Sequence, residues 1–324
     1  MGTFTVLGEA ELTQLAESFG LGEVQKYVPI AAGTINTNFE LVTDFGTYFV
    51  RVNEGKAEAD VAWEARVVAT LAAAGVVTPP PIFALDGRPY APLAGHHGKW
   101  CSVFAWRSGH HLAADDVTPE LASRFGECLA GLHVAALTLP KAWRRGSIYD
   151  HDHLVARFEK IARVSDPALA KATRIIDEEL NLASDVASIR RRATQGIIHG
   201  DLFRDNVLWD GGQISAILDF EQASGGSLAY DIAVCINDWC WTGAPRIDLA
   251  HALLAGYQRV RPLSAGDREA LPYEVRAAAT RFTITRITDV YLARVANPEK
   301  DFRAFLARVE AWRGQSLGEL TSTL

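Results

Sequence analysis

The run Ile198-His199-Gly200-Asp201-Leu202-Phe203-Arg204-Asp205-Asn206, with Asp219-Phe220 following it across a turn, constrains this chain more than any other stretch of its 324 residues. Asp210-Gly211-Gly212 reads as the turn between a strand over 206–209 and a strand over 213–218, and that hairpin folds Asp219 back towards the loop. Taken singly, Asp and Asn here are ordinary turn chemistry. The combination His-x-Asp-x-x-x-x-Asn, turn, apolar strand, Asp-Phe suits phosphoryl transfer, which is mainly placement and charge neutralisation. Asp201 can accept the proton of a hydroxyl and aim its oxygen, whereas Asn206 and Asp219 offer the hard oxygens that magnesium prefers. His199 is expected to brace the loop rather than carry a proton.

Such a site needs, upstream, a cover for phosphates, a cation and a carboxylate that orients the cation. The run from Gly33 and Thr34 through Asn36 to Asn38 and Phe39 sits between two strand-like stretches; its N–H groups could cover phosphate, and a plain hairpin turn would read the same way. Tyr48-Phe49-Val50-Arg51-Val52 follows as an apolar strand with one cation. Residues 57–74 have helical spacing, stop at Gly75 and carry Glu64, the natural partner of Arg51; an exposed strand Arg and a surface helix Glu is the alternative. An Arg binds phosphate or carboxylate as a planar fork, so it is not a neutral stand-in for Lys. At the end of the apolar strand 100–105, Phe104-Ala105-Trp106-Arg107 is a candidate hinge whose backbone at Ala105 and Trp106 could bond adenine, with a buried strand end as the competing reading.

These residues resemble the choline/aminoglycoside kinase superfamily over essentially the whole chain. Leu202 to Leu208, Tyr230-Asp231-Ile232-Ala233 and Asn237-Asp238-Trp239-Cys240 look like type II homoserine kinases. The resemblance implies an α+β, two-lobed, protein-kinase-like (aminoglycoside phosphotransferase-like) fold. Residues 1–106 would form a nucleotide-covering lobe and 107–324 a mainly helical lobe with the catalytic loop and acceptor pocket, which agrees with the change from mixed to helical patterning near Trp106. It also implies ATP and Mg2+ as cofactors and L-homoserine as the acceptor, giving O-phospho-L-homoserine on the way to threonine. Asp231 would brace the catalytic loop by accepting backbone hydrogen bonds. Asp238 on the same helix would face the acceptor's amino group or the helix surface. Arg281 and Arg286, in the helix-like stretch 277–292, would bind an acceptor carboxylate or form inter-helix salt bridges. Glu221 stands where an aromatic residue is expected, and a charge there bears on which hydroxyl compound fits. Choline, an aminoglycoside or a sugar are the rival acceptors. A catalytically silent nucleotide-binding protein is the rival class, prompted by Arg51 in a lysine-like position.

Composition narrows the partners. A net charge of −7 argues against a general nucleic-acid-binding surface. Four cysteines without C-x-x-C spacing read as buried thiols of a reducing compartment, and no apolar run reaches membrane-spanning length, so a cytoplasmic protein without membrane partners is expected. The adjacent pairs His96-His97 and His110-His111 do not present two ligands on one helix face, and His133 reads as a packed helix residue.

Overall fold

Punctuation residues set the first elements as firmly as hydrophobicity does. In the computed structural model, which describes residues 5–30 and 36–315, helix α1 spans Glu9–Phe19. The Gly8 amide opens it on the Glu11 carboxylate at 2.7 Å, and Gly20 closes it at φ 63°. Its buried residues Leu12, Leu15, Ala16 and Phe19 recur at the spacing of one helix face. Strands β1 (Val24–Ile30), β2 (Thr37–Thr43) and β3 (Thr47–Asn53) lead into helix α2 (Glu58–Ala73), followed by β4 (Ala91–Pro92) and β5 (Trp100–Ala105). The five strands make one antiparallel sheet in the order β1-β2-β3-β5-β4. Along β2 every second residue, Thr37, Phe39, Leu41 and Thr43, is buried, the period of a strand with one face in a core. Phe39 and Leu41 meet Val50, Val52, Cys101, Val103 and the apolar face of α1 there. The register sets Arg51 of β3 opposite Asn38 and Ser102.

The chain divides into two compact units, the first being Met1–His110 with Leu208–Asp210 and Ile214–Glu221. A single cut after Trp106 does not describe it. His110 and Trp209 exchange both backbone bonds at 2.9 Å, and the Ile217 amide donates to the Val77 carbonyl at 2.6 Å, so the hairpin strands are stitched to this unit.

The second unit is mainly helical. It contains α3 (Pro119–Leu137), α4 (His151–Ala162), α5 (Ala170–Asp185) and α6 (Ala187–Arg192), then strand β6 (Gln195–Ile198). In chain order the hairpin of β7 (Val207–Asp210) and β8 (Gln213–Ile217), most of it part of the first unit, comes next; β9 (Ser224–Ser227) then pairs antiparallel with β6 so that Ile198 faces Ser224. Helices α7 (Leu228–Trp239), α8 (Ile247–Val260), α9 (Ala265–Arg286) and α10 (Phe302–Gly314) complete it. Thr118 caps α3 with Pro119 in its first turn, and Ser264 with Asp267 forms a capping box on α9. Helices α3 and α8 cross closely because each brings a glycine to the contact. A Cβ on Gly126 would run into the Leu253 carbonyl, and one on Gly256 into the Ser123 carbonyl. Helix α7 is buried over nearly its whole circumference, as its apolar run requires. Among the described residues no helix is long and apolar enough to cross a membrane.

Candidate active site

One face of α7 builds the loop between β6 and β7. Asp231 receives the His199 amide on Oδ2 and the Gly200 amide on Oδ1, both at 2.8 Å. One turn on, the Cys235 thiol donates to the Leu202 carbonyl at 3.6 Å, and the Trp239 indole N–H donates to the same carbonyl at 3.2 Å. Asp238 takes the Arg204 amide at 2.8 Å and its guanidinium at 3.0 and 3.3 Å. Positions 231, 235, 238 and 239 fall on one side of a 3.6-residue helix, so a single rigid element pins the loop at three points. Gly200 sits at φ 78°, where a side chain would be strained and its Cβ would press on the Gln222 carbonyl.

Asp231 is itself braced from behind. Its Oδ2 also lies 3.1 Å from His133 Nε2, and His133 Nδ1 lies 2.8 Å from the Tyr257 hydroxyl, which takes the Arg261 guanidinium at 3.1 Å. With Nε2–H donating to the carboxylate, Nδ1 accepts from Tyr257 and every polar atom of this buried line is satisfied. Burial pushes the Asp231 carboxyl up, but the hydrogen bonds from His133 and the Gly200 amide, with the electrostatic influence of the neighbouring imidazoles, hold it below the usual carboxylate range. His133 is therefore more than the packed residue its apolar neighbours suggested.

Within the loop the Asn206 side-chain N–H donates to the Asp201 carbonyl at 2.8 Å. That bond fixes the amide's orientation and turns its oxygen into the atom available to a cation, as a metal ligand requires. The Asp201 carboxylate is half-buried, and Arg281 reaches its Oδ1 at 3.3 Å. Arg281 is 3% exposed, held between the rings of Tyr149 and Phe282 at 4.0 and 3.8 Å. Arg286 instead bonds the Asp301 carbonyl at 3.3 Å. Asn237, next to Asp238, turns into the core, where it donates to the Val275 carbonyl and accepts from Trp312.

The first unit gathers a second charged group. Arg51, 7% exposed, contacts Glu64 at 3.0 Å and Asp219 at 3.1 Å. Burial works against its charge, yet Asp219, Glu64 and Glu221 together push its pKa up. Lys56, a residue the sequence patterns did not single out, lies 3.1 Å from both Glu64 and Glu221. Glu221 also accepts the Asn36 amide at 2.6 Å, and Asn36 in turn accepts the Glu54 amide at 3.2 Å. Glu221 thus answers cations and the loop before β2; burial and the neighbouring Asp219 charge push its carboxyl up while Lys56 and Arg51 oppose them. Asp219 adopts φ 61°, a left-handed conformation seldom used by non-glycine residues outside sites that need it. Among the described residues the Asn38 side-chain oxygen is buried without a partner. Gly33 and Thr34 lie outside the described residues. At the candidate hinge, Ala105 pairs with Tyr48 and the Trp106 amide donates to the Thr47 carbonyl at 3.1 Å.

A family described as the phosphotransferase enzyme family matches residues 26–263. The homoserine kinase of Methylobacillus flagellatus is 31% identical over 293 residues, covering 90% of this chain and 88% of that protein. That of Neisseria meningitidis serogroup B is 31% identical over 317 residues, covering 94% and 97%. Among solved structures, the amicoumacin kinase hAmiN in complex with AMP-PNP, Ca2+ and Ami superposes with a TM-score of 0.73 at 14% identity, covering 96% of this chain and 95% of that one. A choline/ethanolamine kinase family protein from Mesorhizobium loti does so with a TM-score of 0.67 at 16% identity, covering 97% and 99%.

Proposed function

The chain belongs to the phosphotransferase enzyme family and is an ATP-dependent enzyme acting on a hydroxyl, and from that premise we propose that it phosphorylates L-homoserine to O-phospho-L-homoserine, a step towards threonine. The likeness to homoserine kinases along nearly the full length of both chains carries this reading. The acceptor oxygen attacks the γ-phosphorus, an O–P bond forms, the bond to the β–γ bridging oxygen breaks, and ADP leaves with that electron pair. Asp201 takes the hydroxyl proton and orients the oxygen. Asn206 and Asp219 are the ligands we assign to Mg2+, which when bound neutralises charge on the polyphosphate. Arg51 is the cation assigned to the phosphates, oriented by Glu64. The loop from Gly33 and Thr34 to Asn36 and Asn38 is assigned as their cover, and the backbone at Ala105 and Trp106 as the adenine contact. The four free cysteines suit a reducing cytoplasm, where ATP is supplied. An ATP-consumption screen with homoserine, choline, aminoglycosides and sugars tests the proposal. Turnover with homoserine well above the others is expected, and a clear preference for choline or an aminoglycoside would overturn it.

A further inference from the structure

Several half-buried arginines of the second unit face a carboxylate: Arg190 meets Glu274, Arg276 meets Glu179 and Arg261 meets Asp267. Arg308 and Arg286 do not. Arg308, 9% exposed, directs Nε to the Asn237 carbonyl at 2.7 Å and Nη1 to the Ala304 carbonyl at 2.6 Å. Half-buried Arg286 directs only Nη1 inward, to the Asp301 carbonyl at 3.3 Å and the Glu299 carbonyl at 3.5 Å. Among the described residues neither forms an ion pair. Of the carboxylates whose charges favour the Arg286 cation, Asp205 acts from beyond ion-pair distance, and the other three are engaged elsewhere. Asp238 is held by Arg204, Asp201 by Arg281 and Asp301 by Arg303.

Both guanidinium groups lie against one ring, Phe305, at 4.4 Å for Arg286 and 4.5 Å for Arg308, and Arg308 also covers Trp241 at 4.7 Å. Two like charges on one aromatic ring, hydrogen-bonded only to neutral carbonyls among the described residues, are offset by carboxylates beyond contact distance and leave both guanidinium groups without a carboxylate of their own. Burial, the largest influence on each, lowers both pKa values, Arg308 to about 10, the direction expected of cations short of counter-charge. The ring they share is continuous with the catalytic loop. Phe305 stacks on Phe203 at 5.8 Å and contacts Phe282 at 5.0 Å. Phe203 follows Asp201 by two positions in the loop, and Phe282 is the neighbour of Arg281, which touches Asp201.

We propose that Arg286 and Arg308, stacked on Phe305, form the receptor for the acceptor's carboxylate, an assignment that rests on the amino-acid kinase reading. A guanidinium binds a carboxylate with two parallel charge-assisted bonds, and Arg286 keeps Nε and Nη2 for them. An acceptor that presents a carboxylate at this ring and its hydroxyl at Asp201 spans the aromatic cluster. A polycationic aminoglycoside or a quaternary ammonium meets two guanidinium groups there instead, so the same pair selects against them.

The test compares L-homoserine with 3-aminopropan-1-ol, which keeps the amine and hydroxyl and lacks the carboxylate, in the full chain and in its Arg286→Gln and Arg308→Lys variants. Urea unfolding of each variant identifies loss of structure, and Arg286→Gln removes a half-buried side chain if Arg308→Lys does not fold. The expected result is that wild type prefers homoserine in kcat/KM and that Arg286→Gln reduces this preference on the order of 10- to 100-fold through the homoserine KM, with the ATP KM unchanged. Homoserine turnover with an undiminished preference in Arg286→Gln would overturn the receptor and leave the kinase reading standing. A wild type that ignores homoserine and phosphorylates acceptors without a carboxylate would overturn both.

Discussion

Replacing Asp231 by Ala should loosen the catalytic loop without removing any group that touches substrate. The change strips one acceptor from three buried donors: the His199 and Gly200 amides, each at 2.8 Å, and His133 Nε2 at 3.1 Å. Hydrogen bonds to an ionised group are worth about 1.5–3 kcal/mol each. Breaking a buried charged contact costs about 3–5 kcal/mol, so a loss of about 4 kcal/mol is expected from a total of about 5–15 kcal/mol. With a urea slope of about 3 kcal/mol/M, the unfolding midpoint falls by about 1 M or more. Asp231→Asn keeps the shape and one acceptor oxygen, and should lose about half as much. The acid limb separates charge from shape. Because folding holds the Asp231 carboxyl below its ordinary value, its stabilisation is complete above the unfolded value of about 4 and drains away as pH falls through the lower folded one. Asp231→Asn should therefore show a flatter loss of stability below about pH 4 than wild type. Urea titrations between pH 3 and 7, with kcat at pH 7 for each variant, give all of these quantities. If Asp231→Ala unfolds at the wild-type midpoint and turns over at the wild-type rate, α7 does not hold the loop through this residue.

Other expectations follow from single contacts. Arg51→Ala should raise the ATP KM about 10-fold and lower kcat, with Arg51→Lys in between because the charge survives without the fork; initial rates against ATP decide, and an Arg51→Ala variant with wild-type constants would give the phosphates to another cation. Asp219→Ala should weaken magnesium-dependent ATP binding and abolish turnover, measured by calorimetric titration of Mg-ATP; unchanged affinity and rate would move the metal elsewhere. Gly126→Ala should destabilise the α3–α8 crossing by about 1–3 kcal/mol, because its Cβ meets a backbone carbonyl rather than a movable side chain, and a wild-type thermal midpoint would refute that close contact.

The loop we assign to catalysis stands out in the sequence because its chemistry is contiguous: Asp201 and Asn206 lie five residues apart, and Asp219 lies one hairpin further on. Strand and helix patterning placed Arg51 and Glu64 on elements that bring them together, whereas the α+β class and Asp231 as a brace came from the family resemblance. What stayed hidden depends on distant pairing. His133 meets Asp231 across 98 positions, and the apolar residues around it disguise a buried hydrogen-bonding role. Lys56 sits in an unremarkable strand-to-helix turn, and only the folded chain sets it between Glu64 and Glu221. Arg308 reads as one of several charges on α10, and its lack of a carboxylate is a property of tertiary packing. Even the hairpin's affiliation was hidden, because the bonds that join its strands to the first unit run to Val77 and His110.

Phosphoryl transfer with Asp201 as the base is tested most directly by Asp201→Asn, assayed with saturating Mg-ATP and L-homoserine beside a binding titration of the nucleotide. The amide preserves shape and cannot take the hydroxyl proton, so kcat should fall on the order of 100-fold or more while the Kd for Mg-ATP stays at the wild-type value. A correctly folded Asp201→Asn variant that phosphorylates homoserine at the wild-type rate would contradict the account.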